Sequence, residues 1–275
     1  MTELAKNVIE RSIAVPGVQP KISLTLVQET IDGQKKERLT IVGALGGNYI
    51  VKPPSTEFPE LPQNEHLTMR IAEIFGIPTV PSSLVRLASG ELSYVTRRID
   101  RTVDQEKIHM LDMFQITGAT DKYKSSMERI GKALDKYAAN TLLDKLRFFE
   151  MTVFAFLTGN NDMHLKNFSM ITNENGDWAL APAYDMLNVS IVLPADKEEL
   201  ALTLNGKKSK LNRTDFEDLA KGLGLKDRQV RGVFTRFVDS WTLATKWIND
   251  SFLSKELKEA YKSMLVERYS RLEVA

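Results

Sequence analysis

The chain has 275 residues, 43% of them hydrophobic, which is enough for one two-lobed unit or two small domains. Its 37 basic and 36 acidic residues leave a net charge of +1, so there is no global basic signal for nucleic acid. Cysteine is absent, excluding disulfides and thiolate metal sites. No apolar run approaches the roughly 20 residues of a membrane helix, and the N-terminus lacks a basic-then-apolar leader. A soluble cytoplasmic globular protein is the expectation.

In chain order, the first elements read as strands. Residues 21–27 (KISLTLV) alternate, residues 31–33 read as a turn, and residues 38–42 and 48–52 resemble two further strands around Gly46 and Gly47. A proline-rich loop, residues 53–62, leads into a helical pattern over 63–75 with Leu67, Ile71, Ile74 and Phe75 on one face, closed by Gly76. Residues 83–87 and 91–96 flank Ala88-Ser-Gly90 as a hairpin. Beyond Asp100 the pattern turns helical over 111–117, 126–138 and 141–157. In the last of these, Leu142, Leu146, Phe149, Val153 and Phe156 form a stripe. Residues 215–222, 227–248 and 254–272 are also helical in pattern. The expected architecture is therefore α+β and bilobal: a β-rich lobe over 1–100, an α-helical lobe over 101–275, and a hinge near residues 96–101. An ATP-binding cleft is the natural hypothesis for such a pair of lobes.

The chemistry concentrates in residues 158–167 (TGNNDMHLKN) and in Asp185. Asp162 and Asn167 stand in the Asp-x4-Asn spacing of a kinase catalytic loop, where the aspartate orients the attacking hydroxyl and the asparagine holds magnesium. Residues 168–172 and 177–180 flank the turn cluster 173–176 as a hairpin. A hairpin returns the chain to its start, so Asn167 and Asp185 can share one metal. Lys52 closes a predicted strand, where kinases place the lysine that reaches the α- and β-phosphates. Glu65 is the best helical partner for it, with Glu57, Glu60 and Glu73 as rivals. Residues 14–21 (AVPGVQPK), with Gly17, Val18, Gln19 and Lys21, read either as a plain turn or as a loop over phosphate.

Taken together, Val18-Gln19-Pro20-Lys21, Ile50-Val51-Lys52, residues 96–101 (TRRIDR), Asp162-x-His164-x-Lys166-Asn167 and Tyr184-Asp185 resemble the HipA-type serine/threonine kinases of bacterial toxin–antitoxin systems. The likeness runs in order through essentially the whole chain. It implies a kinase-like fold that uses ATP and magnesium (Mg2+). It casts Asp162 as the catalytic aspartate, Asn167 and Asp185 as metal ligands, and Lys52 as the phosphate-binding lysine. Lys21 and the loop before it would cover the nucleotide, Arg97 to Ile99 would meet adenine through the backbone, and His164 and Lys166 would line the catalytic site. It also implies a protein substrate, such as an aminoacyl-tRNA synthetase, a helix-turn-helix antitoxin, and DNA contact only through that antitoxin.

Longer members carry a subdomain ahead of the nucleotide loop. This chain begins at that loop, which implies a separate small protein partner in its place. The family's regulatory serine has no direct counterpart: its position falls on Ala14, two residues after Ser12. Ser12 stands as a candidate for autophosphorylation, against an unmodified helix or turn cap. Three other readings compete: an inactive or weak kinase-fold binding module, a metal-dependent hydrolase, and a small-molecule kinase. With three histidines in the chain, of which His66 and His109 lie in unrelated segments, a histidine-rich metal centre has little to draw on.

Overall fold

The computed structural model describes residues 21–31, 34–40 and 47–272, with side chains described for 21–25 and 47–272. The described residues divide into two compact units: one comprises the chain up to His66 together with Val80–Ile108, the other Leu67–Thr79 together with His109 onward.

In the first unit the alternating segments form an antiparallel sheet, in the order β2-β1-β3-β5-β4 among the described residues. β1 (Ile22–Ile31) and β2 (Gln34–Thr40) pair in a register that ends on Ile31 opposite Gln34, and residues 32 and 33 of the turn expected at 31–33 lie outside the described residues. β3 (Tyr49–Lys52) lies between β1 and β5 (Leu92–Arg97), with Val51 opposite both Ile22 and Val95. β4 (Ser82–Arg86) completes the hairpin expected around Gly90, whose φ of 90° only glycine adopts readily.

The helix α1 (Leu61–Ile74) crosses the division between the units at His66. It ends as its sequence suggests. Gly76, at φ 75°, donates its N–H to Glu73 and Ile77 donates to Ala72, which satisfies two carbonyls of the last turn.

The second unit carries a three-stranded antiparallel sheet, β6 (Met110–Asp112), β7 (Ser169–Thr172) and β8 (Trp178–Leu180), in that order. The hairpin expected between Asn167 and Asp185 is β7–β8, with Ile171 opposite Ala179. The helix expected over 111–117 is shorter. Residues Met110–Asp112 pair with β7 instead, and α2 (Met113–Thr117) starts behind Asp112, whose carboxylate accepts the Gln115 N–H in a capping box. α3 (Met127–Tyr137) and α4 (Thr141–Leu157) start at the caps Ser126 and Asn140.

The stripe expected on α4 is corrected at its N-terminal end, because Leu142 is 47% exposed. From Phe148 to Leu157 the helix is instead buried on every side. Its rings pack edge-on against others from along the chain: Phe148 on Phe168 at 5.4 Å, Phe149 on Phe234 at 6.1 Å and Phe154 on Phe75 at 5.4 Å between centroids.

The C-terminal helices are α5 (Arg213–Gly222), α6 (Asp227–Asp239), α7 (Trp241–Asp250) and α8 (Lys255–Arg271). A single helix expected over 227–248 is broken at Ser240. The Ser240 hydroxyl bonds the carbonyls of Arg236, one turn back, and of Ile74, and such back-bonding bends a helix. Among the described residues no helix is long and apolar enough to cross a membrane.

Asp215 ties the start of α5 to the preceding loop. Its carboxylate accepts from Lys207 Nζ at 2.8 Å, Asn205 Nδ2 at 3.1 Å and the Asn212 N–H at 3.1 Å. Burial pushes its pKa up, but the Lys207 hydrogen bond and the Asn212 and Asn205 donors outweigh burial and hold it below the usual carboxylate value. A depressed folded-state pKa adds stability that is present above the unfolded value near 4 and is lost as pH falls through the folded one. Asp215→Asn is therefore expected to lower the unfolding free energy at pH 7 by about 1–2 kcal/mol. In urea titrations the gap to wild type should shrink stepwise below about pH 4. A gap that stays constant under acid would show that the carboxylate charge does not act there.

Candidate active site

The segment that carries the chemistry begins where the buried helix α4 stops. Gly159 takes φ 63°, its N–H donates to Phe156 O at 3.2 Å, and the Asn160 N–H donates to Ala155 O at 2.8 Å, so the helix closes in a left-handed cap. The Gly159 carbonyl then accepts from the N–H groups of Val189 and Ser190 and from the Ser190 hydroxyl at 3.1 Å. A Cβ at position 159 would lie 2.8 Å from Asn188 Oδ1 and 2.9 Å from Ser190 Oγ. Only glycine permits both the turn and this close approach. Asn161 adds a second brace through Nδ2, which donates to Asp196 Oδ2 at 3.0 Å and Glu198 O at 3.1 Å.

Within this frame Asp162 and Asn167 are joined directly. The Asp162 carbonyl accepts the His164 N–H at 2.8 Å and Asn167 Nδ2 at 2.9 Å, across the short 3-10 turn Leu165–Asn167. The amide nitrogen of Asn167 is thereby committed, and its Oδ1 is left as a hard oxygen for a cation. The Asp162 carboxylate accepts the Tyr123 hydroxyl at 2.8 Å. Tyr184, one residue before Asp185, donates its hydroxyl to Lys166 O at 2.9 Å and shares a 2.5 Å hydrogen bond with Ser169. Asp185 itself stands at φ 59°, a left-handed backbone that an aspartate tolerates better than most residues.

His164 links the two acidic positions electrostatically. It is buried, with no hydrogen-bond partner on Nδ1, and its ring packs edge-on against Tyr123 at 5.1 Å. Burial lowers its pKa most, Lys122 lowers it further, and the charges of Asp162 and Asp185 push it back up without overcoming burial. Both carboxylates therefore act on one imidazole, and that imidazole is held neutral. Lys166 is exposed, with Nζ 4.9 Å from the centre of the Phe114 ring.

Among the described residues no group of three or more His, Cys, Asp or Glu side chains could hold a metal on its own. Magnesium keeps several waters and is bound by one or two protein oxygens together with substrate phosphates. Asp185 and Asn167 Oδ1 are of the chemical types that such a set would need.

In the first unit Lys52 Nζ lies 2.6 Å from Glu65 Oε1, with side-chain exposures of 9% and 1%. The expected partner is the observed one, while the rival Glu73 bonds Arg70 and Thr79 instead. Lys21 is exposed at the start of β1. The Arg97 N–H donates to Pro81 O and the Arg98 N–H to Asn48 O, so those two backbone donors are used within the sheet, and Ile99 follows them half-buried. Gly17, Val18, Gln19 and Ser12 lie outside the described residues. Tyr123, Gly159 and Ser190 were not expected. Tyr123 precedes Asp162 by 39 positions, and no spacing rule joins them.

The sequence model of the HipA-like C-terminal domain matches residues 13–245. A protein of Sinorhizobium fredii named as a candidate kinase, Y4dM, is 31% identical over 266 residues, covering 90% of this chain and 63% of its own length. A candidate kinase of Haemophilus influenzae is 33% identical over 194 residues, 66% of this chain and 54% of its own. The chain thus spans between half and two thirds of the length of these relatives. Among solved structures, the HipA chain of the Shewanella oneidensis complex with HipB and operator DNA superposes with a TM-score of 0.77 at 22% identity, over 98% of this chain and 71% of that one. The Helicobacter pylori proinflammatory kinase CtkA superposes with a TM-score of 0.59 at 15% identity, over 90% of each chain. These likenesses show a kinase-like α+β fold.

Gly159→Ala is expected to destabilise the protein by about 1–2 kcal/mol from the left-handed backbone alone, with the contacts to Asn188 and Ser190 adding to it. The thermal midpoint should fall by several degrees. An unchanged midpoint would show that the loop can rotate out of its cap without cost.

Proposed function

The chain belongs to the HipA-like C-terminal domain family, and from that premise we propose that it is an ATP- and magnesium-dependent serine/threonine protein kinase. The observation that carries the reading is the pair of hydrogen bonds on the Asp162 carbonyl, from Asn167 Nδ2 at 2.9 Å and from the His164 N–H at 2.8 Å. A lone surface Asp-x4-Asn would need neither. The names of the Haemophilus and Sinorhizobium relatives support the same class of reaction.

In this reading Asp162 faces the substrate hydroxyl, orients it and takes its proton as the oxygen attacks the γ-phosphorus and the bond from that phosphorus to the bridging β-phosphate oxygen breaks, releasing ADP. Asn167 Oδ1 and Asp185 hold magnesium, which when bound neutralises charge on the phosphate oxygens. Lys52, held 2.6 Å from Glu65, supplies the cation that kinases use on the α- and β-phosphates. We assign nucleotide binding to residues 1–100 and the catalytic loop and metal ligands to residues 101–275. The biological role we propose is that of a cytoplasmic toxin kinase acting on a protein of translation and restrained by a helix-turn-helix antitoxin. The Shewanella neighbour supports this, having been solved with HipB and operator DNA. The balanced net charge of +1 suits DNA contact through such a partner rather than by the kinase itself.

Asp162→Asn is expected to lower phosphoryl transfer by roughly 10²–10⁴-fold, the range for a lost general base, while ATP still binds. Near-wild-type transfer by the folded variant would remove Asp162 from the mechanism. Asp185→Ala should weaken ATP binding in the presence of magnesium and leave the metal-free affinity unchanged, because the carboxylate acts on the nucleotide through the cation. Calorimetric titration with and without magnesium measures this, and equal losses under both conditions would count against a metal role.

A further inference from the structure

The contact that the kinase reading does not use is the one made by Tyr123. It sits in the loop between α2 and α3, behind Gly118, and its hydroxyl donates to Asp162 Oδ1 at 2.8 Å. The loop is pinned on both sides of that contact. Asp121 Oδ1 accepts the Tyr123 N–H at 2.9 Å, and the Lys122 carbonyl accepts the Leu165 N–H of the catalytic loop at 3.2 Å. The ring is held as well, edge-on to His164 at 5.1 Å and with Lys122 Nζ 4.8 Å from its centre. Burial and then the Asp162 charge push the phenol pKa upward, so the hydroxyl stays protonated and can only donate to the carboxylate.

An aspartate side chain is free to rotate, and a carboxylate that must meet an incoming hydroxyl benefits from being fixed beforehand. Holding Oδ1 leaves Oδ2 as the oxygen presented to substrate. We infer that Tyr123 is a positioning residue for phosphoryl transfer: it fixes the Asp162 carboxylate by binding Oδ1, so that Oδ2 receives the substrate hydroxyl. This rests on the proposed kinase reading and adds to it a residue outside the loop and hairpin that carry that reading.

Tyr123→Phe removes the hydroxyl and keeps the ring against His164. With the full chain and magnesium ATP, release of phosphate to water and transfer to dephosphorylated casein serve as the two readouts. The expected result is a kcat reduced about 10-fold with the KM for ATP unchanged, because the lost bond acts on the carboxylate and not on nucleotide binding. In an Asp162→Asn background the same change should have no further effect, which a merely structural role of Tyr123 would not produce. An unchanged kcat, a raised kcat, or an equal loss in the Asp162→Asn background overturns the inference. Carbon-13 NMR of ζ-labelled tyrosine gives a readout independent of activity: the Tyr123 signal should shift in Asp162→Asn. If the wild-type chain turns over no ATP while that signal shifts, the kinase reading fails and the role assigned to Tyr123 fails with it. A signal that does not shift overturns the contact alone and leaves the kinase reading standing.

Discussion

A carboxamide has a donor end and an acceptor end, and the site depends on which of them Asn167 presents. The bond from its Nδ2 to the Asp162 carbonyl settles the matter. The same carbonyl also takes the His164 N–H, so its two lone pairs are both engaged. The peptide plane after Asp162 is fixed by that pair of donors, and the direction in which the Asp162 side chain leaves the backbone is fixed with it. A loop held this way does not need regular secondary structure. It needs its internal hydrogen bonds, and the 3-10 turn Leu165–Asn167 is the shortest element that provides them.

Those bonds are worth little unless the loop starts from a rigid place. α4 supplies it, with Phe148 to Leu157 buried on all sides and rings from Phe75, Phe168, Phe216 and Phe234 packed against it. Ending an apolar helix in the interior leaves carbonyls that water cannot reach, and each must be paired. Gly159 and Asn160 answer for two of them, and the Thr158 hydroxyl bonds Phe154 O at 2.8 Å. The Thr-Gly-Asn-Asn run is thus explained before any chemistry is considered: it is what permits a buried helix to stop and a polar loop to begin.

Local features of this protein were legible in its sequence, and contacts between distant segments were not. The hairpin between Asn167 and Asp185 and the helix end at Gly76 follow from turn residues and periodicity within a few positions, and the pairing of Glu65 with Lys52 follows from the kinase pattern. The exposure of Leu142 is invisible to such reasoning, because a stripe shows which residues are apolar and not how far the neighbouring helices extend to cover them. The break at Ser240 depends on the carbonyl of Ile74, and the strand Met110–Asp112 on its register with Ser169–Ile171. Neither partner lies near in sequence. Tyr123 belongs to the same class, since a tyrosine in a polar loop carries no mark of the carboxylate it will meet.

The neutral state of His164 completes the electrostatic argument. Near the charges of Asp162 and Asp185 an imidazole would ordinarily be drawn toward the charged form, and a charged imidazole would offset the negative potential that the proposed chemistry uses. Burial works against this and wins, aided by the Lys122 charge. Lys122 thus disfavours a proton on His164 while its own backbone carbonyl accepts the Leu165 N–H. One short loop therefore does two things: it holds the Asp162 carboxylate and the Leu165 backbone, and it helps keep the His164 ring from cancelling the acidic charge near it. In the proposed chemistry the cation at Asp185 and the substrate hydroxyl at Asp162 would each meet a carboxylate near an uncharged ring, because burial outweighs the pull of both acidic charges on that imidazole.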